Sequence, residues 1–112
     1  MNNVMTIDGQ QAVITFDPEI NLFRGEFIGL ARGGADFYAS DVNGLLREGK
    51  ISLAAYVEMC REDGVEPYQS FSGRFNARIP PALHAACKAA AAASGKSLNQ
   101  WVTDALSEAA AA

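Results

Sequence analysis

Between Gly73 and Pro81 the chain reads Gly-Arg-Phe-Asn-Ala-Arg-Ile-Pro-Pro, and alternate residues at its centre, Arg74, Asn76 and Arg78, carry forked hydrogen-bonding side chains. Arginine offers two parallel donors and asparagine a donor beside an acceptor, the patterns that match guanine and adenine edges in the DNA major groove. With the two-residue period of a strand, these three face one way and Phe75, Ala77 and Ile79 face the other. A two-stranded ribbon is narrow enough to enter that groove, so one face could read bases while the other holds a core. The same alternation suits the wet face of any edge strand, and the neighbouring elements must decide between the two.

Those neighbours read as two helices. Pro80 and Pro81 cannot extend a ladder but suit a helix entrance, after which Leu83, Ala86, Cys87, Ala90 and Ala91 recur at helical spacing up to Ser94-Gly95. Ser97 with Gln100 three residues on is a capping-box pattern, and Leu98, Trp101, Val102, Ala105 and Leu106 form one apolar face. Lys96, Ser97 and Leu98 open this second helix, where free backbone N–H groups and the positive dipole end form a phosphate clamp. A lone strand leaves both edges unpaired, and two short helices with few large anchors cannot bury enough surface by themselves. Two copies would solve both problems, pairing their strands antiparallel over a shared core of Phe75, Ile79, Leu83, Trp101 and Leu106. Folding and homodimerisation would then be coupled.

The strand-helix-helix segment resembles the ribbon-helix-helix DNA-binding domains. The run Phe71 to His84, with Gly95-Lys96-Ser97-Leu98-Asn99-Gln100-Trp101 downstream, is similar to the carboxy-terminal part of HicB-family antitoxins. Upstream, Ala12 to Pro18 and Leu22 to Leu30 resemble the paired opening strands of the HicB amino-terminal domain. The resemblance implies an α+β fold in which a small antiparallel sheet plus helix of partial ribonuclease H type, residues 1–66, precedes a ribbon-helix-helix domain, residues 71–112. It also implies an antitoxin that neutralises a HicA-like, mRNA-cleaving toxin and binds double-stranded operator DNA to repress its own operon. A stand-alone ribbon-helix-helix regulator without a toxin partner is the second reading, since the chain does not display its genomic neighbour. An interaction module with no DNA role is the third. Whether the front half adds a tetramer interface is left open.

Charge is unevenly distributed. Residues 1–70 carry five basic and eleven acidic side chains, a balance of −6, whereas residues 71–112 carry four basic against Asp104 and Glu108, a balance of +2. A polyanion would attract the tail and repel the front half, which suits a basic protein; an ordinary solvated acidic surface would look the same. At 112 residues and 49% hydrophobic content the chain can build one modest core or two small ones. No apolar run approaches the roughly 20 residues of a membrane span, and the polar start Met1-Asn2-Asn3 is unlike a secretory leader, so the expected location is cytoplasmic with no membrane partner.

The remaining chain gives a coarse plan. Val4 to Ile7 reads as an extra strand or a frayed start before an Asp8-Gly9 turn, and Gln11 to Phe16 with Leu22 to Ile28 as a hairpin. Asp36 to Ala39 is a short further strand. From Ser40, Val42, Leu45, Leu46, Gly49, Leu53, Tyr56, Val57 and Cys60 step around a helix that ends near Asp63-Gly64, with Gly49 in mid-pattern leaving open either a continuous helix or a break there. Glu66 to Ser70 has the composition of a linker. Asp17, Glu19, Glu26 and Asp36 are the candidates for catalytic carboxylates, but their phases and turn positions do not gather them, so no metal, cofactor or catalytic residue is expected. Cys60 and Cys87 fall on apolar helix faces, and His84 follows a helix entrance, where a structural or surface role is expected.

Overall fold

The computed structural model describes residues 3–111 and is α+β, with a four-stranded antiparallel sheet and three helices. The polar start at Met1 and Asn2, and Ala112 at the end of the alanine run, lie outside the described residues. The chain separates into two compact units, one spanning Asn3–Phe71 and the other beginning at Ser72.

The first unit opens with a meander of β1 (Val4–Ile7), β2 (Gln10–Asp17), β3 (Leu22–Phe27) and β4 (Asp36–Ala39), paired in sequential order. Ile7 faces Gln10 across a two-residue turn in which Asp8 (φ 48) and Gly9 (φ 83) both sit in the left-handed region. Positive φ at both positions is what a primed hairpin turn requires, and Asp-Gly is among the few pairs that adopt it cheaply. The opening segment is therefore a paired strand and not a frayed end. At the β2–β3 connection, Asp17 accepts the Glu19 N–H at 3.0 Å, and Asn21 (φ 55) supplies the second reversal.

Alternation then sorts the sheet into two faces. Ile7, Ala12, Phe27 and Phe37 are buried beneath α1 (Val42–Asp63), while Val13, Thr15, Arg24, Glu26 and Tyr38 occupy the opposite phase. Asp41 caps the helix by accepting the Gly44 N–H at 2.7 Å, and Gly64 (φ 69) ends it. Leu45, Gly49, Leu53, Tyr56 and Cys60 form its buried stripe.

The question left open at Gly49 is answered by a continuous helix: α1 runs unbroken for 22 residues. Gly49 lies on the sheet-facing side, and a β-carbon there would fall inside the contact radius of Ile7 Cδ1 and stand 3.2 Å from two ring carbons of Phe37. The glycine marks close approach of the helix to the sheet, with no kink.

The expected linker also differs. Ala31 N–H donates to Pro67 O at 2.9 Å, Gln69 N–H donates to Gly29 O at 2.9 Å, and Leu30 bridges Tyr68. The Tyr56 hydroxyl joins both sides, accepting the Arg32 N–H at 3.1 Å and donating to Pro67 O at 2.7 Å. Burial pushes this phenol up, so it stays protonated and able to donate. Polar composition at 66–70 marked a non-helical segment, but its backbone groups pair with the first unit, which ends at Phe71 and not at residue 66.

In the second unit, α2 (Pro81–Ala93) and α3 (Leu98–Ala111) follow the boundaries that the prolines, Gly95 and Ser97 dictate. The stretch 74–80 forms no strand. Among the described residues, Phe75 to Ile79 make no hydrogen bond, and a β-ladder requires a second strand beside them.

Gly49→Ala is expected to lower stability. Overpacking against Ile7 and Phe37 costs about 1–3 kcal/mol, which exceeds the gain of up to about 1 kcal/mol from replacing a mid-helix glycine. Urea unfolding of the full chain would show a lower midpoint, whereas a midpoint equal to or above wild type would mean that α1 does not approach the sheet this closely.

Candidate nucleic-acid interface

Ser72 and Arg74 set the entry to the candidate reading segment: the Arg74 N–H donates to Ser72 Oγ at 3.1 Å, folding the chain around Gly73 (φ 83). Beyond it Arg74, Asn76 and Arg78 are all exposed. Among the described residues neither guanidinium has an ion-pair partner, and the Asn76 amide makes no hydrogen bond. Arg74 and Asn76 border a shallow cleft with Asn99 and Thr103 from α3, but Arg78 does not line it. The three side chains are thus free and outward, and a single copy does not assemble them into one site.

The apolar partners of that segment do converge. Phe75, Ile79, Leu83, Trp101 and Leu106 line one open recess of about 310 Å³. Phe75 is 74% exposed, and Ile79, Leu83 and Leu106 lie between 42% and 49%. Ala91 is the only buried hydrophobic residue of this unit among the described residues. These side chains are therefore only partly covered within the unit.

At the start of α3, Ser97 Oγ accepts the Gln100 N–H at 3.1 Å, the first half of the expected capping box. The reciprocal half is missing because the Gln100 side chain turns along the helix and donates to Asp104 Oδ1 at 2.7 Å. Among the described residues the N–H groups of Leu98 and Asn99 have no acceptor, so two donors of the proposed clamp are open there. Lys96 is not: its Nζ lies 2.6 Å from Asp104 Oδ2. The Lys96 ammonium, and then the Gln100 amide, hold the Asp104 carboxyl below the usual carboxylate range. Sequence spacing had no means of finding this eight-residue contact, because a long lysine preceding the helix must fold back along it.

The carboxylates of the first unit are only partly gathered. Glu26 and Asp36 are cross-strand neighbours, with Arg24 at 3.6 Å from Glu26 and 2.6 Å from Asp36. These contacts raise the Arg24 guanidinium pKa, chiefly through Asp36. A cation already fills the space between the two acids, and among the described residues no three His, Cys, Asp or Glu side chains form a group that could hold a metal ion. His84 is exposed, Cys60 is buried and Cys87 is half-buried, and both cysteines are free. Among the described residues no helix is long and apolar enough to cross a membrane.

No curated protein and no solved structure significantly matches the chain. The HicB family model matches residues 56–106, from the last turns of α1 through the exposed arginines and α2 into α3, so this stretch of the chain is similar to that family.

Proposed function

We propose that this protein is a HicB-type antitoxin whose second unit dimerises as a ribbon-helix-helix module on operator DNA and whose acidic first unit engages a small basic HicA-like toxin. The observation that carries the reading is the pairing of two unmet needs in residues 73–79. Their backbone lacks a ladder partner, and the five anchors Phe75, Ile79, Leu83, Trp101 and Leu106 lie on one uncovered recess. A second copy meets both needs at once, since antiparallel pairing of two such segments supplies the hydrogen bonds and turns Phe75 and Ile79 into a common core. It also sets two copies of Arg74, Asn76 and Arg78 side by side with their donors free. The family match supports a toxin-antitoxin context.

The role of the first unit is recognition and not catalysis. Residues 1–70 carry a balance of −6, which favours fast encounter with a cationic partner. The stand-alone regulator remains the second reading for one reason: the family match begins at residue 56 and leaves the whole sheet unmatched.

Three measurements check this proposal. Full-length protein is expected to sediment as a dimer, and Phe75→Ala, by hollowing the shared core at a cost of about 3–5 kcal/mol, to shift it toward monomer; a concentration-independent folded monomer of wild type would overturn the paired ribbon. Alanine at Asn76 or Arg78 is expected to cost about 1–3 kcal/mol per base contact and to relax preference at particular operator positions. If all three readers can be replaced in a folded dimer without altering operator preference, the segment is not the reader. Excess full-length protein is expected to suppress RNA cleavage by a small basic protein encoded beside it, with association slowing as salt rises; undiminished cleavage would leave the solitary regulator.

A further inference from the structure

We propose that Asp104 limits how firmly the second unit holds nucleic-acid phosphate, by keeping the ammonium of Lys96 occupied in the free protein. This rests on the DNA-binding reading given above.

Both oxygens of the Asp104 carboxylate are engaged, Oδ2 by Lys96 at 2.6 Å and Oδ1 by Gln100 at 2.7 Å. Lys96 directly precedes the cap Ser97 and the open N–H groups of Leu98 and Asn99, so a phosphate seated on those amides would approach beside this lysine. Its charge is already matched. To reach the phosphate, Lys96 must leave a carboxylate that then stands unpaired near a polyanion. The pair is not sealed from solvent, its side chains being 42% and 43% exposed, so exchange between carboxylate and phosphate is open. Arg74, Arg78 and Lys88 are the cations of this unit without an ion-pair partner among the described residues.

A phosphate contact is blind to sequence, so a residue that weakens it lowers affinity for every duplex and leaves discrimination to the groups that touch base edges. Asp104 thus reduces indiscriminate retention without altering what is read. Glu108 lines the same groove as Lys96 and Asp104, one helical turn on, and offers a second carboxylate within the same surface.

The test uses full-length wild type, Asp104→Asn, Asp104→Asn with Glu108→Gln, Lys96→Gln, and Asp104→Asn combined with Lys96→Gln, each checked by circular dichroism. Binding is measured to the duplex upstream of its own gene and to a mixed-sequence duplex across a salt series. Asp104→Asn is expected to tighten both by the same factor, about two- to fivefold, as for release of an exposed ion pair. The logarithmic salt dependence should steepen by roughly one unit per protomer. The gain over wild type should vanish when Lys96 is also replaced, whereas Lys96→Gln alone should weaken binding to both duplexes by the same factor, because it leaves the Asp104 carboxylate unpaired beside the phosphate. Wild-type binding with no gain in Asp104→Asn or the double carboxylate variant, a gain over wild type that survives Lys96→Gln, or a Lys96→Gln loss that Asp104→Asn does not restore overturns this inference and leaves DNA binding intact. Failure of every protein to bind either duplex overturns the DNA-binding reading and this inference with it.

Discussion

Contact between α1 and the sheet at Gly49 is the constraint on which the first unit is built. With no side chain at that position, the helix settles against Ile7 and Phe37, and Leu45, Leu53, Tyr56 and Cys60 are buried along the same stripe. Phe27 and Phe37 meet within that layer at a ring separation of 5.1 Å, a spacing favourable for tilted aromatic pairs. Once α1 is placed, the Tyr56 hydroxyl can fasten the loop after β3 and the segment around Pro67. The unit therefore has a buried layer of its own, between the helix and one face of the sheet.

The second unit has no such layer among the described residues. Its helices begin and end on well-formed local signals, yet they leave Phe75 and half of Leu83 and Leu106 in water. A helix pair of this size gains too little from burial to offset its ordering entropy without further cover. Phe75 to Ile79, before α2, have the complementary deficiency, N–H and C=O groups without a partner among the described residues. Local helix signals and missing long-range contacts coexist here because caps and prolines act within a turn, while burial and strand pairing require a second surface.

Electrostatics follow the same division. In the first unit, Arg24 is consumed by Asp36 and Glu26, and Arg61 pairs with Glu58 one turn away. In the second, Arg74 and Arg78 have no ion-pair partner among the described residues, while Lys96 is held by Asp104. Counting basic residues overstates the charge available to a phosphate backbone, because it counts a lysine whose field is largely cancelled at short range.

By itself the sequence determined what is local. The Asp8-Gly9 turn, strand alternation in β2 and β3, the stop at Gly64, the entrance at Pro80-Pro81 and the cap at Ser97 follow from backbone preferences and short-range hydrogen bonds. The alternation of Arg74, Asn76 and Arg78 with Phe75, Ala77 and Ile79 was legible in the same way, as a pattern with two faces. Tertiary structure decided what depends on distance. Gly49 looks like a helix breaker until Ile7 and Phe37 are seen opposite it, and Glu66 to Ser70 looks like a tether until the Gly29 and Ala31 backbones are found paired to it. Lys96 looks like a free cation until its chain reaches Asp104. The reason is common to all three: composition and periodicity report a residue's own preferences, whereas close approach, backbone pairing and charge neutralisation are properties of two groups that only the fold brings together.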